Sequence, residues 1–368
     1  MSITQVEIQA IAVVVAAACA VPGVFLVLRR TAMMSDAISH TVLLGIVLAF
    51  FVVQDLASPW LLLGAATIGL VTVWLVELLT QTRLVKQDAA IGLVFPALFS
   101  LAVILISRYA RGVHLDVDAV LLGELAFAPF DRFQWLGLDI PRALAVMGGI
   151  LLLNVAFVAL FYKELKLATF DAALAATLGF MPTVLHYALM GLVSLTAVGA
   201  FDAVGSILVV ALMVTPAAAA YLLTDDLHKM LWLSVGIGAL SAITGYWLAR
   251  SIDGNIAGAM ATMTGVVFIG VLLLAPQRGL VAVARRRARQ RWEFAQAMLA
   301  VHLLQHEGRP EQSTEMRVDH LVEHIRWQPT YAEQVIRFAE RRGTLRRQAG
   351  RLILTDAGRM LAQQTVLQ

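Results

Sequence analysis

Cysteine is nearly missing from this 368-residue chain: Cys19 is the only one, and it sits inside an apolar run. That excludes a disulfide framework and any zinc site of the C-x-x-C kind. Charge is scarce too. Asp, Glu, Lys and Arg make up 14% of the residues, against about 25% in a soluble domain. The phosphate-cradling pattern G-x-x-x-x-G-K-[ST] does not occur, so the chain cannot hydrolyse ATP by itself. No Ser, His and Asp fall in an order that suggests a nucleophilic triad. Residues 1–9 carry no basic stretch, and no small-residue cleavage site follows the first apolar run; that run is therefore expected to be a retained span rather than a signal peptide.

What is present is apolar and unevenly distributed. Sixty per cent of the residues are hydrophobic and the mean hydropathy is +0.79. Crossing a bilayer takes about 20 mostly apolar residues in a helix. Nine segments meet that requirement, near 8–28, 34–54, 60–79, 89–107, 142–162, 183–200, 203–223, 230–250 and 256–275. The last pairs are closely joined, so two could be merged or one re-entrant. Residues 285–368 differ in kind: they hold 15 Arg, no Lys and 9 Asp or Glu, a net +6 that leaves −3 for the rest. Two units in two solvents follow, a membrane domain over 1–284 and a polar tail over 285–368. The bias of Lys and Arg toward cytoplasmic loops puts the N-terminus outside, with Arg29, Arg30, Arg83, Lys86, Lys163, Lys166, Lys229 and the tail inside.

A few polar residues interrupt the apolar runs. Asp36 and His40 open the second span four residues apart, hence on one helix face. A carboxylate beside an imidazole suits a borderline divalent ion such as manganese, iron or zinc, and ionisable groups in a span are functional candidates by default. The competing reading is an intramolecular pair that caps the helix and touches no metal. Asp202 lies between two spans as either a path ligand or a cap for a helix beginning at Ala203, and Pro216 is expected to kink its span. Gly191, Gly199, Gly205, Gly265 and Gly270 read as close-packing positions, and His186 as a structural hydrogen-bonder. The longest outer loop, 108–141, carries Asp116, Asp118, Glu124, Asp131 and Asp139; it is either an acidic mouth that concentrates cations or a solvated loop. Residues 171–179 are too short to span and form a capped, Ala-rich helix on the cytoplasmic side that needs a partner for its apolar face.

The tail reads as helices over 291–305, 316–326 and 329–342, then two short strands bending at Gly350, then a helix from Thr355. That order is the winged-helix pattern. The helix over 329–342 mixes Glu333 and Glu340 with Arg337, Arg341 and Arg342, which argues against nucleic acid as a partner. His302 and His306, and likewise His320 and His324, are four apart, with Glu307 and Glu323 nearby, and make a possible tail metal site.

Several blocks together resemble the manganese/zinc/iron class of ABC transporter permeases. They are Asp36-Ala-Ile-Ser-His-Thr-Val-Leu-Leu-Gly45, Gln87-Asp-Ala-Ala-Ile-Gly-Leu-Val-Phe95, Leu122-Gly-Glu124, Lys163-Glu-Leu-Lys-Leu-Ala-Thr-Phe-Asp171 and Ala203-Val-Gly-Ser-Ile-Leu-Val-Val-Ala-Leu-Met-Val-Thr-Pro216. The resemblance implies an importer permease that pairs with a second permease, a separate ABC ATPase and an extracytoplasmic metal-binding protein, in a bacterial cytoplasmic membrane. No permanently bound cofactor is implied; the divalent ion is the substrate. It implies a metal path through Asp36, His40, Asp202 and Glu124. It also implies a coupling helix that contains Phe170, Asp171, Ala175 and Gly179. An acid at position 202 looks more like the manganese/iron branch than the zinc branch. Leu44 departs from the family pattern, which usually has Pro before Gly45. The stretch Leu354-Thr-Asp-Ala-Gly-Arg359 resembles the wing exit of metal-dependent repressors of the diphtheria-toxin-repressor type. The expected fold is thus an all-α polytopic membrane protein of eight or nine spans with a small α+β winged-helix-like cytoplasmic domain. A gradient-driven metal carrier and a membrane-tethered regulator are the alternatives; neither needs both a docking helix and so many spans.

Overall fold

The computed structural model describes residues 2–55, 58, 60–109, 125–135, 138–310, 316–318, 326–348 and 350–366. The chain divides into two compact units, Met1–Arg278 and Gly279–Gln368.

The first unit is a helical bundle: α1 (Ile3–Leu28), α2 (Met33–Val53), α3 (Trp60–Gln81), α4 (Gln87–Tyr109), α5 (Arg142–Leu160), the short α6 (Tyr162–Phe170) and α7 (Ala172–Thr177), the long α8 (Pro182–Leu223), α9 (Leu227–Ile252) and α10 (Ile256–Leu274). Among the described residues nine segments are long and apolar enough to cross a bilayer, α8 counting as two. Their low amphipathicity follows from their surroundings: lipid on one side and other helices on the other are both apolar, so no polar stripe is needed. The unit is not purely helical, because β1 (Arg132–Trp135) and β2 (Leu138–Pro141) form an antiparallel hairpin that pairs Arg132 with Pro141 and Trp135 with Leu138. Arg132 holds Glu7 at 3.2 Å and Asp139 at 2.7 Å, which ties this hairpin to the start of α1.

Helix α1 is the axis. It is buried along most of its length and packs against α5, α8 and α9. Small residues make this possible: a Cβ on Gly23 would stand 1.9 Å from the carbonyl oxygen of Met213, so α1 and α8 meet backbone to backbone. Gly45 meets α3 at Gly64 and Ala65 in the same way, and Gly245 meets Met260. Of the glycines expected at close contacts, Gly199 does lie against Ile150, whereas nothing stands within 4 Å of a Cβ on Gly265 or Gly270. Gly205 has a different role. Its torsions (φ 74°, ψ 165°) are open essentially to glycine alone, and they are the non-helical point inside α8. The break therefore falls at Gly205 and not at Pro216, and the backbone runs helically past Asp202 into Ala203, so no helix begins there. Helix α2 continues unbroken past Leu44.

The second unit contains α11 (Leu280–His306), α12 (Pro329–Arg341), β3 (Leu345–Gln348), β4 (Arg351–Leu354) and α13 (Asp356–Val366). Its core gathers Leu299, Leu303, Val335, Ile336, Leu345, Leu352 and Leu354. The strands pair antiparallel around Gly350 (φ 78°). Arg317 bridges to Arg351, and Leu352 N donates to Met316 O, so residues 316 and 317 lie against the hairpin and helical backbone, expected from 316, is first seen at Val318. Its continuation over 319–325 lies outside the described residues.

Candidate functional site

Helix α2 presents Asp36 and His40 on one face because Ser35 and Ser39 turn inward, where their hydroxyls donate to Ala32 O and Ser35 O at 2.8 Å each. Asp36 lies in the first turn, where the helix dipole favours a negative charge. His40 Nε2 stands 3.5 Å from Asp36 Oδ1, and both side chains are about one third exposed. An ion held by both at the roughly 2.1 Å usual for such ligands would subtend an angle of about 110° across that gap. From α4, Phe95 stacks on the imidazole with ring centroids 5.5 Å apart, and Phe99 meets it edge-on at 6.2 Å. Two blocks far apart in sequence, 36–45 and 87–95, thus meet in one wall. Among the described residues no three His, Cys, Asp or Glu gather as a metal cluster. Glu124 and the side chain of Asp202 lie outside the described residues. Of the acids in the 108–141 loop, Asp131 pairs with Arg142 at 3.8 Å and Asp139 with Arg132, so neither offers a bare charge; Asp116 and Asp118 lie outside the described residues.

The 170–181 segment is built as a protruding knuckle. Asp171 caps α7 by accepting from Leu174 N at 2.9 Å. Gly179 (φ 87°) ends it, with Gly179 N bonded to Ala176 O and Phe180 N to Ala175 O. Ala175 is fully buried and anchors the turn, whereas Phe170, Leu174, Leu178 and Met181 are 62%, 46%, 60% and 69% exposed. Four large apolar side chains around a six-residue helix form a surface that water disfavours.

A second polar cluster escaped the sequence reading. Tyr187 donates to Glu77 Oε2 at 2.5 Å, His186 Nε2 stands 2.6 Å from Glu77 Oε1, Arg29 Nη1 stands 3.3 Å from His186 Nδ1, and Arg29 Nε donates to Thr169 at 3.1 Å. The cluster joins α1, α3, α6 and α8 beside a cavity of about 500 Å³. Glu77, a lone carboxylate in the third apolar run, was the available signal. Asn154 was missed as well: it is buried in α5 and donates to Ala18 O at 3.0 Å and Thr196 Oγ1 at 2.9 Å.

In the second unit the His302 and His306 rings adjoin along α11, tilted by 52° with centroids 4.8 Å apart. His320 and His324 lie outside the described residues. Glu307 is already engaged: Arg359 grips it at 2.7 Å and holds its carboxyl below the ordinary range.

A bundle of membrane-length helices with an Asp–His pair on one wall and an apolar knuckle between spans defines a polytopic membrane transport subunit. The chain belongs to the ABC 3 transport family, whose pattern matches residues 4–275. It is 51% identical over 357 residues, 97% of both chains, to the zinc transport system membrane protein TroD of Treponema pallidum. It is 47% identical over 289 residues to the manganese transport system membrane protein MntD of Bacillus subtilis, covering 98% of that protein and 78% of this one. TroD thus has a counterpart to the C-terminal unit. Among solved structures, PsaBC from Streptococcus pneumoniae in complex with Fab matches 76% of this chain and 94% of its own, at 28% identity and a TM-score of 0.64.

Proposed function

We propose that this chain is the membrane-spanning permease subunit of an ABC importer for a divalent transition metal, manganese or iron before zinc, moved by ATP-driven alternating access. The observation that carries the reading is the Asp36–His40 pair, an oxygen and a nitrogen ligand on a membrane helix of an ABC-family bundle. Relatives named for zinc and for manganese both support a borderline ion. Two ligands are too few to replace a hydration shell. The partly exposed pair is completed by a second permease subunit that brings its own, with Asp202 and Glu124 further along the path. Metal arrives from an extracytoplasmic binding protein. Energy arrives from a separate ABC ATPase docked on Phe170, Asp171, Ala175 and Gly179, for which the exposed apolar knuckle supplies the contact area. The orientation that puts this knuckle and the tail in the cytoplasm rests on the distribution of Lys and Arg.

The C-terminal unit acts as a winged-helix-like regulator of the transporter or packs on the ATPase. DNA binding is disfavoured because Glu333 holds Arg337 at 3.2 Å and Arg347 at 2.9 Å, which neutralises the helix a duplex would meet. His302, His306, His320 and His324 would let such a unit sense metal. The deciding experiment is uptake of manganese, iron and zinc by cells with Asp36→Ala and His40→Ala. Each change abolishes uptake of the transported ion; uptake at the wild-type rate refutes the path.

A further inference from the structure

Glu77 and His186 are more than a structural contact. Their nearest atoms are 2.6 Å apart, yet the imidazole N–H is not aligned for a hydrogen bond between them. This close oxygen and nitrogen pair lines the 500 Å³ cavity, with Tyr187 holding the second carboxylate oxygen. Both side chains remain partly exposed, 28% for Glu77 and 21% for His186. The same cavity is lined by Met34, two residues before Asp36 on α2, and by Thr31, Thr80 and Gln87, whose oxygens suit a partly hydrated ion.

Resting on the transport reading above, we propose that Glu77 and His186 form a second, low-affinity station for the divalent cation, and that Arg29 gates it. The logic lies in the imidazole. A guanidinium can only donate, so its contact with Nδ1 makes that nitrogen the acceptor and leaves the ring proton on Nε2. A metal bound at Nε2 needs that lone pair. The proton then moves to Nδ1 through cavity water, the ring stays neutral, and Nδ1–H can no longer accept from Arg29. Cation binding and the Arg29 contact therefore exclude each other. Arg29 is also placed to report the change, because its Nε is bonded to Thr169, the residue before Phe170 of the knuckle. Its Nη2 is buried with no hydrogen-bond partner among the described residues, so little holds it when the ring lets go. Arg29 and the Arg83 guanidinium at the cavity keep the affinity low, as an ion that must leave requires.

The test uses the full chain in lipid nanodiscs with manganese(II) alone, bound metal counted by dialysis and its histidine-nitrogen coupling read by pulsed paramagnetic resonance. In an Asp36→Asn, His40→Gln background that also carries His302→Gln, His306→Gln, His320→Gln and His324→Gln, one weak histidine-coupled site is expected to remain. Adding Glu77→Gln, which still accepts from Tyr187, weakens it at least tenfold, and His186→Gln removes the nitrogen coupling. Arg29→Gln tightens it at least threefold, an outcome a purely structural network does not produce. Absence of the coupled site in that background, or indifference to Glu77→Gln, overturns the second station. If instead the Asp36→Asn, His40→Gln pair leaves total binding unchanged while Glu77→Gln weakens it, the Asp36–His40 path fails and the second station stands.

Discussion

Replacing Leu174 and Leu178 together by serine tests the knuckle as a docking surface. Both side chains point away from the bundle, 46% and 60% exposed, while the buried Ala175 and the Asp171 cap that shape the turn are untouched. The fold therefore keeps its stability, and the loss falls on whatever covers the two leucines. Full burial of a leucine contributes about 2 kcal/mol. Scaled by the exposure still to be removed, the two contribute about 0.9 and 1.2 kcal/mol, or about 2 kcal/mol together. That corresponds to an ATPase association weakened about 30-fold. The assay is titration of ATPase subunits onto nanodisc-embedded permease, with ATP-dependent metal uptake in proteoliposomes alongside. Association within threefold of wild type, with uptake intact, refutes the assignment of 170–181 as the coupling surface.

Other consequences follow from single contacts. Gly23→Ala places a methyl group 1.9 Å from the carbonyl oxygen of Met213, a backbone atom that cannot step aside; the two helices must part, and we expect a loss of about 1–3 kcal/mol in denaturant-induced unfolding in detergent. Gly205→Ala forces a side chain into torsions open to glycine alone; it costs about 1–3 kcal/mol and slows transport before it abolishes folding, read as uptake against melting temperature. The Glu307–Arg359 pair makes the C-terminal unit acid-sensitive. Because Arg359 depresses the folded pKa of Glu307, the stabilisation is fully present above the ordinary glutamate range and is lost as pH falls through the depressed value. Hydrogen exchange of tail peptides in the full chain should show protection falling there in wild type and already low, with less pH dependence, in Glu307→Gln.

The spans were legible because the bilayer allows so few solutions: a run of 20 apolar residues satisfies its backbone only as a helix. The union of 182–223 into one interrupted helix was half-legible. The close joining of the two segments is in the sequence, but that Gly205 rather than Pro216 breaks the helix depends on the torsions each adopts. Proline inside a helix surrounded by other helices can keep its neighbours' geometry, whereas a glycine freed to positive φ cannot stay helical. The packing glycines were read only in part, Gly199 correctly and Gly265 and Gly270 not: Gly23, Gly45 and Gly245 matter because of what stands opposite, and sequence spacing carries no information about the opposite helix. Arg317 pairing with the hairpin, two residues into an expected helix that is helical at Val318, is the same lesson in the tail.

Asp36 and His40 were legible because both partners sit on one helix, so their spacing alone brings them together. Glu77 and His186 come from α3 and α8, and Arg29 from the end of α1; only folding makes them neighbours. The two clusters share a design. Asp36 and Glu77 each already have a cationic or hydrogen-bonding partner within reach, which matters because a bare charge in the hydrocarbon is costly. On the two proposals above, a divalent ion would enter by taking over a partner's role: it would stand between Asp36 and His40 at the first, and displace the Arg29 contact at the second. In that scheme, the compensation that makes the empty bundle stable is the same feature that would let an arriving cation alter helix-to-helix contacts. This is how a few polar residues among so many apolar ones can link ion occupancy to the segment that leads into the knuckle.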